Sequence, residues 1–183
     1  MLAYVFWHWP RSGVASHEYE TVQRRFHAAL EAAPPPGFRG SRSLAITGAP
    51  WAAASGAAYE DWYLVEGSAA LDPLNEAAVS ASRQAPHDAA AALAKDGIAG
   101  LYLLRLGAGV EPPGHATWFA KPAGMSYQEL YATLRSVVEG GATLWGRQMT
   151  LGPTPEFCLH SGSATPLPGR LSGLAIACRR VWP

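Results

Sequence analysis

Apolar and polar positions follow a regular order along the chain. Residues 3–9 (Ala3-Tyr4-Val5-Phe6-Trp7-His8-Trp9) are rich in aromatic and β-branched side chains and are closed by Pro10 and Gly13, which predicts a strand. Ser16 then offers a helix cap, and Tyr19, Val22, Phe26, Ala29 and Leu30 recur at helical spacing through Ala33. Pro34-Pro35-Pro36-Gly37 ends that helix, because proline lacks the backbone donor and disfavours a helical residue before it. A second strand is expected from Phe38 to Thr47, a Gly- and Ala-rich loop from Gly48 to Ala58, and a third strand from Tyr59 to Glu66. Asp72-Pro73 has the chemistry of a helix start. Leu74 to Ser80 continues it, Ala85 to Lys95 supplies a second helical piece closed by Gly97, and Leu101 to Leu106 reads as a fourth strand.

After Gly107–Gly114 (GAGVEPPG) the order begins again. A strand is expected over Ala116 to Lys121, and a capping box of Ser126 with Glu129 opens a helix carried by Leu130, Leu134 and Val137. Strands follow over Ala142 to Leu151, Glu156 to His160 and Leu174 to Val181, with a Pro- and Gly-rich loop before the last. The order β-α-β-β-α-β followed by β-α-β-β-loop-β is a repeat of about ninety residues. It predicts an α+β fold: two tandem ferredoxin-like repeats packed sheet to sheet as an α/β barrel. Residues 1–107 would form the first repeat, 108–114 a linker, and 115–183 a second, degenerate repeat. Such units either close on each other within one chain, as a monomer, or pair in a homodimer.

Composition narrows the partners. The 183 residues carry 14 basic and 14 acidic side chains and are 49% hydrophobic, so a sizeable core is expected rather than disorder. With only two lysines and no basic excess, nucleic acid is not an expected partner. The apolar run Leu2 to Trp7 is far too short to span a bilayer and has no charged segment before it, so neither a membrane span nor a secretory leader is expected. Cys158 and Cys178 form no CxxC pair. The chain reads as a cytoplasmic, globular protein whose partner is a small-molecule ligand.

One segment carries a resemblance. Ser16-His-Glu-Tyr19, His27-Ala-Ala-Leu30 and Pro36-Gly37-Phe38 resemble the EthD-like family of dimeric α/β-barrel proteins, which show an aromatic residue, a His eight positions later and a Pro-Gly before the second strand. Tyr19 and His27 stand at that spacing, while Ala29 and Gln23 depart from the usual Pro and Trp. The resemblance covers residues 1–66; the second half matches in element order. It implies a superfamily of small isomerases and cyclases, antibiotic-type monooxygenases and haem proteins of the chlorite dismutase kind, a breadth that leaves the chemistry open.

Candidate chemistry centres on histidines. His27 follows Phe26 by one position, about 100° around the helix, where it would sit at the mouth of a cavity as a proton donor or acceptor, or else as a boundary residue facing water. His8 alternates with Tyr4 and Phe6; if the helices cover the Ala3/Val5 face, these three look into the shared interior, where His8 is a general acid or base or a bonded core residue. Arg147, on a strand face with Trp145 and Met149, could bind an enolate or carboxylate oxygen, or pair with Asp61 or Glu156. Asp61 and Tyr63 share one face of the third strand, with Trp62 opposite. Tyr63 is a second candidate for stabilising charge, and Tyr4, Phe6, Asp61, Trp7, Trp62 and Trp145 are candidate walls for a planar ligand. His115 and His160 are the histidines weighed as haem ligands, and both are expected to be exposed. No HxH, HExxH or carboxylate cluster suggests a metal. The leading reading is a cofactor-independent enzyme that isomerises, cyclises, dehydrates or decarboxylates an apolar or aromatic compound by proton transfer. The alternatives are a non-catalytic ligand-binding protein and a haem enzyme.

Overall fold

The alternation Leu2–Pro10 forms strand β1, and its two faces set the geometry of everything around it. The computed structural model describes residues 1–52, 57–108, 112–150 and 152–183, with the backbone alone of Thr150. Parts of the expected loop (53–56) and linker (109–111), and the expected strand end Leu151, lie outside the described residues. Helix α1 (Ser16–Ala32), β2 (Phe38–Ile46) and β3 (Ala58–Val65) follow, then α2 (Leu71–Ala78), α3 (Gln84–Leu93) and β4 (Ala94–Leu106). The second part holds β5 (His115–Phe119), α4 (Tyr127–Glu139), β6 (Thr143–Thr150), β7 (Phe157–Ser161) and β8 (Gly173–Trp182). The expected capping box is formed: Glu129 N–H donates to Ser126 Oγ, and Ser126 N–H donates to Glu129 Oε2. At α1 the cap position falls on Ala15 with no side-chain bond, and Ser16 is already helical.

The strands close a barrel in the order β1-β3-β2-β8-β5-β7-β6-β4. Within it, β4-β1-β3-β2 and β8-β5-β7-β6 are each the strand order of a ferredoxin-like unit. The units join through β2 with β8 and β4 with β6, all antiparallel, so the barrel closes within one chain. Strand β4 starts seven residues earlier than its apolar run suggests. Its first half pairs with β1 from Pro10 opposite Ala94 onward, which takes Gly97 out of its expected place as a helix stop. A Cβ on Gly97 would lie 2.5 Å from the Phe6 ring, so this strand position has room only for glycine.

The interior of the barrel is filled. Trp7, Trp51, Trp62, Trp118 and Trp145 pack there with Tyr102, Val5, Leu44 and Ile176. Eight strands enclose a space that side chains alone can occupy. This reverses the expected faces. Ala3, Val5 and Trp7 point inward, while Tyr4 and Phe6 pack with the helix-side cluster of Phe26, Leu30, Tyr63 and Leu74. The physical reason is volume: inward positions share one closed space, and small Ala3 and Val5 leave room for the indoles opposite. Trp62 and Trp145, expected as ligand walls, are therefore core residues. On the second unit, Leu130 and Leu134 of α4 cover Phe119, Leu144, Phe157 and Leu159 on the outer face. No helix among the described residues is long and apolar enough to cross a membrane.

Replacing Trp118, 1% exposed and in ring contact with Trp7, Trp51, Trp62 and Tyr102, by Ala should lower unfolding free energy by about 3–5 kcal/mol in urea titrations. A loss below about 1 kcal/mol would mean that the barrel is not packed as described.

Candidate active site

With the interior closed, open space lies outside the barrel. A cleft of about 910 Å³ separates the outer faces of β1, β3 and β4 from α1, α2 and α3. Tyr4, Phe6, Phe26, Leu30, Leu74 and Leu101 give it apolar walls, and His8, Tyr19, Gln23 and Asp61 bring polar groups to it. Residues 8 and 61 meet because of register: Phe6 is opposite Asp61 and His8 opposite Tyr59, so His8 is the diagonal neighbour of Asp61 on the same face. Helix α1 lies over this face and turns Tyr19, Gln23, Phe26, His27 and Leu30 inward. Tyr19, Gln23 and His27 are spaced by four, one polar stripe beside the apolar one.

The result is a buried cluster around one carboxylate. His8 Nε2 lies 3.1 Å and His27 Nε2 3.2 Å from Asp61 Oδ2, and Tyr63 O–H donates to the same oxygen at 3.1 Å. Neither imidazole N–H lies along the line to the oxygen, so these two contacts are ion-pair approaches rather than aligned hydrogen bonds. The other ring nitrogens are also engaged: His8 Nδ1 with Tyr19 Oη at 2.7 Å, and His27 Nδ1 with Ser41 Oγ at 2.7 Å. Stacking fixes both rings, His8 against Phe6 and Tyr59, His27 against Tyr63 and Trp182. His27 is fully buried, so it is neither a boundary residue nor exposed to water.

Burial alone would raise the Asp61 carboxyl, but His8 and His27 beside it hold it well below the usual carboxylate range. Burial first, and then the Asp61 charge, raise the phenols of Tyr19 and Tyr63, so both stay protonated donors. The residue before Asp61 faces the other way. Glu60 lies in the barrel, where burial raises its carboxyl to about 7 against the opposing effect of bonds from the indoles of Trp62 and Trp7. Among the described residues, no three His, Cys, Asp or Glu side chains are arranged to hold a metal ion.

The structure thus brings together His8, His27, Asp61, Tyr63, Tyr4 and Phe6, and leaves four candidates elsewhere, of which Trp7 packs inside the barrel. Arg147 donates to the Thr154 carbonyl at 3.0 Å and pairs with neither Asp61 nor the Glu156 carboxylate; it lies at an irregularity in the β4–β6 register. Trp62 and Trp145 lie inside the barrel. His160 is a further correction: it is buried, its ring 4.4 Å from that of Trp62, and burial with the nearby Arg42 charge lowers it to about 3. His115 is half-buried. Neither of these two lines the cleft. Sequence reasoning passed over Ser41 and Gln23; the four-residue spacing of Tyr19, Gln23 and His27 was the available signal for the second.

No protein-family model and no curated protein matches the chain. Among solved structures, the provisionally named chlorite dismutase TA0507 is similar at 10% identity and a TM-score of 0.46, over 90% of this chain and 81% of that one. The strand order and helix placement themselves define the class, a ferredoxin-like α/β barrel.

The two adjacent carboxyls give opposite pH signatures. Asp61, lowered in the folded state, stabilises the fold fully above the unfolded value of about 4 and loses this as pH falls further. Glu60, raised in the folded state, favours folding below about 4.5 and loses this as pH rises to about 7. Asp61→Asn should therefore cost about 3–5 kcal/mol at neutral pH and flatten the acid limb of a stability–pH curve. Glu60→Gln should flatten the decline between about pH 5 and 7. Denaturant titrations across pH check both, and an unchanged Glu60→Gln profile would show that Glu60 does not titrate in the barrel.

Proposed function

We propose that the chain is an enzyme that moves a proton on a small apolar or aromatic molecule held in the cleft between the barrel and its helices. The observation that supports this best is the Asp61–His8–Tyr19 chain ending at the cleft. Asp61 carries the negative charge, His8 sits between it and Tyr19, and Tyr19 lines the cleft. An ionised Asp61 favours the tautomer with hydrogen on His8 Nε2, which leaves Nδ1 to accept from Tyr19. Tyr19 can then accept a proton from a bound substrate while passing its own to His8, and Asp61 stabilises the imidazolium that forms. Run in reverse, the same chain donates a proton.

The walls fit the substrate class. Tyr4, Phe6 and Phe26 offer flat apolar surface, and exclusion of water strengthens each polar contact made beside it. With Arg147 elsewhere, the Gln23 amide, Arg11 and Lys95 on the cleft lining are donors for developing negative charge. These steps need no cofactor. Isomerisation, cyclisation, dehydration and decarboxylation all draw on such a proton relay. The two residues that carry the EthD-like resemblance, Tyr19 and His27, are both members of this cluster, which supports the same reading.

The test is proton exchange in D₂O with a panel of small ketones and phenols carrying acidic C–H bonds, followed by NMR. The wild type should accelerate exchange for at least one compound that binds, and His8→Gln and Tyr19→Phe should each lose about 100-fold or more of that acceleration while staying folded. Full activity in both variants would sink the role assignment. Binding without exchange would favour the non-catalytic alternative, and a Soret band after haem titration would favour the haem one.

A further inference from the structure

The second arm of the Asp61 cluster has chemistry of its own. Strand β2 opens with an irregular register: Phe38 is opposite Val65 and Gly40 opposite Leu64, so Arg39 is an extra residue. Gly40 takes φ +134°, a backbone state that side-chain-bearing residues rarely adopt, and a Cβ there would meet nothing within 4 Å. Ser41 follows this bulge directly and is itself buried, 4% exposed. Ser41 Oγ lies 2.7 Å from His27 Nδ1, and His27 Nε2 lies 3.2 Å from Asp61 Oδ2. Stacking of His27 on Tyr63 and Trp182 holds the imidazole in this orientation. With Asp61 anionic, the Nε2 hydrogen stays on its side and Nδ1 accepts the Ser41 proton.

That is a hydroxyl hydrogen-bonded to a base, with a carboxylate 3.2 Å from the base's other nitrogen, the set of groups by which a serine becomes a nucleophile. Ser41 also lines a second cleft of about 650 Å³ that shares no lining residue with the first. Its lining also includes Arg39, which is exposed and paired with Glu66. We propose that Ser41 is the nucleophile of a second, acyl-transfer site that takes small carboxylic esters. Ser41 Oγ adds to the ester carbonyl carbon as its proton passes to His27 Nδ1. The tetrahedral intermediate collapses with cleavage of the carbonyl C–O bond, and the departing alcohol takes that proton. Water then repeats the sequence on acyl-Ser41, releasing the acid and restoring the hydroxyl.

The full-length protein is treated with a fluorophosphonate probe, in which Ser41 Oγ forms the P–O bond as fluoride leaves, and is followed by intact mass and peptide mapping. The expected result is one adduct on the peptide containing Ser41, absent in Ser41→Ala and formed at least about 100-fold more slowly in His27→Gln. A burst of p-nitrophenol from p-nitrophenyl acetate, stoichiometric with protein and lost in Ser41→Ala, should accompany it. No adduct on Ser41 in the wild type, or the same labelling rate in a folded His27→Gln, overturns the proposal. Because labelling reads Ser41 alone, that failure would leave the proton-transfer reading of the first cleft standing.

Discussion

A carboxylate removed from water loses hydration worth several kcal/mol, and the fold must return it through opposite charge and hydrogen bonds or leave the group protonated. Asp61 is 1% exposed and remains anionic because two imidazoles and a phenol converge on a single one of its oxygens. Those partners come from three elements: β1 supplies His8, α1 supplies His27, and β3 itself supplies Tyr63. The charge therefore depends on helix and sheet being docked, and the docking in turn brings Tyr19 and Ser41 to the far nitrogens of the two rings. Geometry, protonation state and the approach of α1 to the barrel form one coupled system.

The neighbouring residues Glu60 and Asp61 show how local environment sets opposite behaviour in similar groups. Strand alternation sends one carboxyl into the barrel and the other under α1. Inside, Glu60 meets two indole donors and no imidazole close enough to hold its charge, so burial dominates and its carboxyl rises. Outside, Asp61 meets two imidazoles and burial loses. Burial thus outweighs the indole bonds at Glu60, and the barrel interior is filled largely by tryptophan. The space that a ligand could use has moved to the helix side of the same strands.

Much of this architecture was legible in the residue pattern, because strand alternation, proline stops and the Ser126–Glu129 cap are local features with local causes. The full extent of β4 is not legible there, because Ala94–Gly100 has the composition of a helix end and only the edge of β1 draws it into the sheet. The facing of β1 was inverted for a similar reason. Ala3-Val5-Trp7 and Tyr4-Phe6-His8 are both plausible interiors, and the choice depends on the volume of indoles contributed by distant strands. His8, His27, Asp61 and Tyr63 could be singled out by type, but their common oxygen could not, since it arises from cross-strand register and helix docking. Ser41 gave no signal at all: a serine in a strand gains meaning only from the imidazole above it.

The shared oxygen also imposes a constraint on any chemistry at this cluster. Asp61 has one negative charge, and a proton taken up by either imidazole neutralises it. A second imidazolium would then sit at about 3 Å from a carboxylate already compensated, in a medium where like charges interact strongly. In the two proposed reactions, a proton passed to His8 and one passed to His27 would draw on the same Asp61 charge. The two clefts meet at this one carboxylate, so the two proposed arms are coupled through a shared charge without any movement of the barrel.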